Sequence, residues 1–286
     1  EINFPPIISI AFESINAKTV AVQERFMPTA FYSNFGFIVD SYFCSSTFVS
    51  SQIRKSKNKF SNVCIPCGQI RTDKLLDFQK ANTQVNDKFT IVVFDYHSEL
   101  NINLNRHKPI TNWRANNHFY NDLCQLAEQL PNINIIIRGK DINWTKNEFF
   151  KDVLIRINNN FNIVVDDVYS ELMYQYKLAA KADLIIAKHT SIGDELISTG
   201  KKVIFYDFLP NSKKVISREY DYNKSNIFVY SYNELELTVK SAIDGNYPLT
   251  ESKLIELQHI LNNGMADGKV KDRVMSRICG FIKAKS

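Results

Sequence analysis

The sequence lacks an apolar run long enough to cross a membrane. A membrane-spanning helix needs about 20 consecutive apolar residues, and no run in this 286-residue chain approaches that length. The first residues, EINFPPIISIAF, also lack the basic start and small-residue cleavage site of a secretory signal. We therefore expect a cytoplasmic protein. Because residue 1 is Glu rather than Met, a processed or partial chain is a further expectation.

Cysteine is scarce, and its number is odd. Five cysteines in a chain of this size do not indicate a disulfide framework. Cys64 and Cys67 have CxxC spacing, but Pro66 lies between them and no second pair follows at zinc-ribbon spacing. A convincing Asp-x-Asp metal motif is also missing, since Asp166 and Asp167 are adjacent and point apart. The sequence predicts neither a metal site nor a cofactor.

Charge of one sign is not concentrated in the sequence. The net charge is +5 at pH 7 and the pI is near 8.8, with basic residues scattered along the chain. This mild excess fits phosphorylated ligands or an anionic membrane surface, and it does not indicate nucleic acid. The densest basic run, residues 54–59 (RKSKNK), is either a contact for lipid head groups or a solvated helix end.

What the sequence does contain is a regular alternation of strand and helix patterns from about residue 87 onward. Residues 89–94 (FTIVVF) are a continuous apolar run, typical of a parallel strand buried on both faces. We predict an α/β fold with an amino-terminal α/β domain (1–80), a Rossmann-like domain (87–250) and carboxyl-terminal helices (251–286). The first domain is expected to be short or truncated, with strands at residues 7–12, 19–23, 37–39 and 63–65.

The stretch at residues 182–208 (ADLIIAKHTSIGDELISTGKKVIFYDF) predicts a strand, a polar turn, a short helix and a second strand. Thr190, Ser191 and the backbone around Gly193 would face a phosphate at the positive end of the helix. Glu195, one turn further, could accept hydrogen bonds from a ribose diol. The alternative of equal weight is that Thr190 or Ser191 caps the helix and Glu195 lies in its first turn for electrostatic reasons.

Several stretches also occur in a recognisable order. They are KTVAVQERF (18–26), FIVDSYFCSS (37–46), VCIPCGQIRTDKL (63–75), IVVFDYH (91–97), INIIIRGKD (133–141), residues 182–207, and MADGKVKDRVMSRI (265–278). Together they resemble glycosyltransferases of the GT-B type that make bacterial surface polysaccharide, and the related CDP-glycerol glycerophosphotransferases and UDP-sugar 2-epimerases. The resemblance implies two Rossmann-type domains that face a cleft, with the nucleotide on the carboxyl-terminal domain and the acceptor on the amino-terminal one.

The resemblance also implies residue roles. Residues expected to bind a CMP- or UDP-linked sugar donor are Arg138, Lys140, His189, Thr190, Ser191, Gly193 and Glu195. Arg138 and Lys140 stand where relatives often have a basic residue before His-Pro; their alternative is two solvated charges on a loop. In the GQIRTD segment, Gly68, Arg71 and Asp73 are expected to fix the loop at the cleft, with an Arg71–Asp73 ion pair as a structural alternative.

Sugar transfer needs stabilisation of the leaving phosphate and, in inverting enzymes, a base for the acceptor hydroxyl. Candidate catalytic residues are Glu24, which stands where relatives often have the His of Gln-His-Gly, and Asp95 and His97 after the strand FTIVVF. Each of the last two could instead be a cap or a hydrogen-bonded loop residue.

The resulting expectation is a metal-independent glycosyltransferase. It would move a sugar from a nucleotide donor to a glycan or lipid-linked acceptor for capsule or O-antigen, with peripheral contact with the inner membrane as a further expectation. The alternatives are a sugar-nucleotide 2-epimerase and a non-catalytic nucleotide-binding or interaction module.

Overall fold

The computed structural model describes residues 6–26, 38–55, 61–82, 86–95, 112–188, 190–207 and 226–283. Its strands are β1 (Val20–Val22), β2 (Val39–Cys44), β3 (Ser61–Pro66), β4 (Phe89–Phe94), β5 (Ile133–Arg138), β6 (Ile163–Val165), β7 (Leu184–Ala187), β8 (Val203–Tyr206) and β9 (Phe228–Val229). Its helices are α1 (Pro6–Ser14), α2 (Thr47–Lys55), α3 (Arg71–Ala81), α4 (Trp113–Gln129), α5 (Lys151–Asn158), α6 (Tyr174–Lys181), α7 (Ile192–Ser198), α8 (Tyr232–Ile243), α9 (Glu251–Asn262) and α10 (Val270–Lys283). Within the described residues the strands form two parallel sheets.

The larger sheet has the strand order β6-β5-β4-β7-β8-β9. Strand β4 lies in its interior and pairs in parallel with β5 on one side and β7 on the other. Its residues Ile91, Val92 and Val93 are fully buried, as the unbroken apolar run predicts. The chain order reverses between β4 and β7, and in open α/β sheets such a switch point opens a crevice at the carboxyl ends of the strands.

The smaller sheet has the order β1-β2-β3, and its strands are also parallel. One face packs against α2 through Val49 and Ile53, in a core that continues into the larger sheet. The other face packs Phe43 against Val270 and Val274 of α10. The end of the chain therefore completes the core around the first sheet.

Helix α9 joins the two sheets from the side. It packs against α2 of the amino-terminal part and against α7 of the larger sheet. Ser46 Oγ donates to the Ile260 carbonyl, and the Gln69 amide N–H donates to Asn262 Oδ1. These contacts hold the carboxyl ends of β2 and β3 close to α7.

The strand predicted at residues 7–12 is wrong, because the structure has helix α1 there. Pro6 begins this helix, where its fixed φ and missing N–H are tolerated. Asn16 follows its end in the left-handed conformation, with φ of 54°. The spacing of the apolar residues does not distinguish strand from helix here, because residues such as Ile7 and Ile10 are exposed and do not form one buried face.

Candidate functional site

A cluster of charged groups forms where the carboxyl ends of β1, β3 and β7 come together. We call Glu24, Arg71, Tyr176 and Glu195 the Arg71 cluster. Arg71, the first residue of α3, donates from Nη2 to Glu24, and its Nη1 lies 3.9 Å from Glu195 Oε1. Because Glu24 follows β1 and Glu195 lies on α7, one guanidinium links both halves of the chain.

Glu195 is the most deeply buried carboxylate of this cluster, with 1% of its side chain exposed. Tyr176 on α6 donates its hydroxyl hydrogen to Glu195 Oε2 at 2.5 Å. Burial raises the pKa of Glu195 to about 7, against the opposing effects of Tyr176 and Arg71. A carboxyl group with this pKa can hold or release a proton near neutral pH.

The turn before α7 holds Thr190 and Ser191, and Gly193 lies in the first turn of the helix. Thr190 and Ser191 are half-buried, and Ser191 makes no side-chain capping bond to the helix. Gly193 has a packing role: a Cβ at this position would lie 2.7 Å from the Phe205 ring on β8. The glycine therefore allows α7 to lie close to the sheet, whether or not a ligand approaches it.

Arg138, the last residue of β5, is paired within the protein. Its Nη1 donates to Asp166 at 2.6 Å and to the Val168 carbonyl at 2.7 Å. The guanidinium lies 3.7 Å from the centroid of the Tyr169 ring, which suits a cation–π contact. Lys140 is exposed at the surface.

An open groove of about 440 Å³ connects the Arg71 cluster with Arg138. The loop between β6 and α6 provides one wall, and Met173 at its end has a left-handed backbone with φ of 60°. Leu172 in this loop is 85% exposed. The lining residues are Arg71, Arg138, Tyr169, Ser170, Glu171, Leu172, Met173, Gln175 and Tyr176. The groove thus combines two guanidinium groups with flat aromatic and apolar surface.

Asp95 lies at the switch point of the larger sheet, but it is buried and paired. It accepts a hydrogen bond from the Tyr120 hydroxyl, and its Oδ1 lies 3.5 Å from Lys188 Nζ. Lys188 also donates to Asn116, and burial lowers its pKa. His97 and His189, the other two predicted residues near this edge, lie outside the described residues.

Charged residues end five adjacent strands of this sheet. In spatial order from β6 to β8 they are Asp166, Arg138, Asp95, Lys188 and Asp207, so the sign of the charge alternates. Arg138 pairs with Asp166 and Lys188 with Asp95. Buried charges are tolerated when they are paired in this way, and the row gives the crevice a polar floor.

For Arg71 the sequence predicted a position in the loop at the cleft, but not the residues with which it pairs. The suggested Arg71–Asp73 pair is replaced by contacts to Glu24 and Glu195. Asp73 instead accepts the N–H groups of Val270 and Lys271 at the start of α10. The GQIRTD motif indicated the loop that carries Arg71, but the partners of Arg71 come from distant parts of the chain.

Within the described part of the chain, no group of three His, Cys, Asp or Glu residues is arranged to hold a metal ion. None of the described helices has both the length and the apolar character needed to cross a bilayer.

Comparison with known proteins gives a clear result for structure and none for sequence. No protein-family model matches the chain, and no curated protein matches it. The structure of S. aureus MnaA with UDP is similar: the alignment covers 96% of this chain and 72% of the MnaA chain, with a TM-score of 0.62 and 15% sequence identity. The UDP-GlcNAc 2-epimerase from Neisseria meningitidis bound to UDP-GlcNAc matches 95% and 72%, with a TM-score of 0.58 and 12% identity.

The wall teichoic acid polymerase TagF is also similar in structure. It matches 86% of this chain and 59% of its own, with a TM-score of 0.51 and 12% identity. At such low identity the likeness shows the fold. The two parallel sheets, with carboxyl-terminal helices that return to the first of them, give this chain the GT-B fold in a form shorter than these neighbours.

Proposed function

We propose that the protein is a sugar-nucleotide enzyme, and specifically a glycosyltransferase that moves a sugar from a CMP- or UDP-linked donor to a growing surface glycan. The observation that carries the proposal is the Arg71 cluster. It joins both halves of the fold at the carboxyl ends of the strands, where open α/β sheets bind ligands, and it borders a groove large enough for a nucleotide. Structural neighbours solved with UDP and UDP-GlcNAc support a ligand of this class.

In this proposal the donor lies along the groove. The Tyr169 ring and the exposed Leu172 side chain offer apolar surface to the base. Glu195 accepts a hydrogen bond from the ribose once Arg71 has turned from this carboxylate toward the phosphate. The donor's diphosphate or phosphate is held by Arg71 and by the hydroxyls of Thr190 and Ser191. Arg71 exchanges its carboxylate partners for phosphate oxygens when the donor binds. Arginine suits this exchange because its planar guanidinium binds carboxylate and phosphate with the same geometry.

Glu24 is the proposed base for an inverting transfer. Its side chain is 44% exposed, whereas Asp95 is buried behind Tyr120 and Lys188. The acceptor hydroxyl gives its proton to the Glu24 carboxylate while its oxygen attacks the anomeric carbon. The bond between that carbon and the donor phosphate breaks, and the nucleotide leaves with the electron pair. Arg71 stabilises the charge that develops on the leaving phosphate.

A sugar-nucleotide 2-epimerase is the second candidate, favoured by the higher TM-scores of the epimerase neighbours. Such an enzyme would interconvert UDP-sugars without an acceptor. A transferase would release free nucleotide slowly until an acceptor is added. Product analysis of a UDP-sugar incubation, with and without acceptor, therefore separates the two.

The proposed function is tested first by a thermal-shift screen with CMP, CDP, UDP, UMP, GDP and ADP. A ligand that binds only the folded protein raises the melting temperature, and the rise grows with the logarithm of its affinity. We expect one pyrimidine nucleotide to stabilise the wild type and the exposed control Glu256→Gln, and to stabilise Glu195→Ala much less. A screen in which no nucleotide shifts the wild type would refute nucleotide binding and favour an interaction module.

A further inference from the structure

A second groove lies between the carboxyl ends of β2 and β3 and helix α10. It has a volume of about 480 Å³. Its floor is apolar, formed by Phe43, Ile65, Pro66 and Cys67. Burial raises the pKa of the Cys67 thiol to about 11, so the floor carries no charge at neutral pH.

The rim of this groove is basic. Lys269, Arg273 and Arg277 line it, against one carboxylate, Asp272. Arg273 pairs with Asp267 at 2.6 Å and donates from Nε to the Cys67 carbonyl, so it belongs to the protein's own framework. Lys269 and Arg277 are exposed, and neither has an ion-pair partner among the described residues.

The helix that carries this rim is amphipathic. Val270 and Val274 are buried against the sheet and anchor the helix, so its basic side is presented at a fixed orientation. Further along the same helix, Phe281 is 38% exposed. Basic side chains beside exposed apolar surface are the features with which a helix binds the interface of an anionic bilayer.

We propose that the α10 groove docks the protein on an anionic membrane, with phospholipid phosphates held by Lys269 and Arg277 and acyl-chain carbons against the partly exposed Ile65 and Pro66. The charge of the rim favours this occupant: Lys269 and Arg277 outnumber the single carboxylate Asp272 once Arg273 is paired with Asp267, so the rim keeps an excess of positive charge that attracts anionic lipid. This inference is independent of the proposed function, since the groove shares no residue with the Arg71 cluster.

The test is binding of the whole chain to vesicles of phosphatidylcholine with and without about 30% phosphatidylglycerol, measured by co-sedimentation. We expect binding to the anionic vesicles only, weakening as salt rises. Each cation near an anionic surface contributes about fivefold in affinity, so Lys269→Gln with Arg277→Gln is expected to bind about 25-fold more weakly. The matched control, Lys146→Gln with Lys151→Gln, removes two exposed positive charges elsewhere and should bind like the wild type.

Three outcomes would overturn the inference. One is equal binding to neutral and anionic vesicles, and another is an equal loss in the control pair. The third is displacement by inorganic phosphate beyond that caused by sodium chloride of the same ionic strength, which would identify a site for free phosphate. Each single variant should lose about fivefold, so the test still works if the double variant does not fold.

Discussion

Replacement of Glu195 by Gln should make the stability of the protein less dependent on pH. The Glu195 carboxyl has an ordinary pKa of 4.5, and burial raises it to about 7 in the folded protein. Between these two values the folded state holds a proton that the unfolded state has released. Stability contributed by this group is therefore fully present below pH 4.5 and is lost as the pH rises toward 7.

The size of the effect follows from the shift. One pKa unit corresponds to 1.36 kcal/mol, so ionisation of Glu195 costs the wild type about 3 kcal/mol between pH 4.5 and pH 8. Gln has nearly the same shape, can still accept from Tyr176, and does not titrate. We subtract the free energy of unfolding of the wild type from that of Glu195→Gln. This difference should increase by about 3 kcal/mol from pH 4.5 to pH 8.

Urea unfolding at several pH values measures this difference, because subtraction of the two curves removes the titrations that both proteins share. The Glu256→Gln variant is the matched control, since it removes a carboxylate that lies at the surface rather than in the interior. A difference between Glu195→Gln and the wild type that stays constant from pH 4.5 to pH 8 would refute the account of a buried, proton-holding Glu195.

Two further pairs of substitutions test packing and the polar floor. Gly193→Ala places a Cβ 2.7 Å from the Phe205 ring and should lower the free energy of unfolding by about 1–3 kcal/mol. The control Gly280→Ala on α10 places a Cβ with no atom within 4 Å and should raise the free energy of unfolding by about 0.5–1 kcal/mol. Equal effects in chemical denaturation would show that Gly193 is not a packing residue. Asp95→Asn should cost about 3 kcal/mol because it leaves Lys188 buried beside a neutral group, and the added Lys188→Met should restore part of that loss. Additive losses in the double variant would argue against their pairing.

The sequence predicted best those elements whose ends carry local signals. Helix α8 carries such signals at both ends, since Ser231 caps it by accepting the Glu234 N–H and Asp244 and Gly245 follow its last residue. The carboxyl-terminal helices predicted from residue 251 are present as α9 and α10, and Thr250 caps α9 by accepting the Lys253 N–H. Helix α1 was missed because its apolar residues are exposed, so they do not show the spacing of a helix with one buried face.

The site was less predictable because its contacts are long-range. The expected position of Glu195 at the start of α7 is correct, but its burial and its bond to Tyr176 depend on how α6 packs against α7. The partners of Arg71 were missed since nothing near GQIRTD indicates Glu24. Arg138 and Asp95 were expected to face a ligand, and only packing shows that each also pairs with a neighbouring strand end.

The central claim is that a nucleotide binds at the Arg71 cluster, and calorimetric titration of Arg71→Met tests it most directly. Arg156→Met is the matched control: its side chain is 35% exposed against 33% for Arg71, and it too pairs with a glutamate, Glu128. We expect the nucleotide selected by the thermal-shift screen to bind Arg71→Met at least about tenfold more weakly than the wild type, and Arg156→Met to be unchanged. Equal affinity for all three proteins would contradict the account.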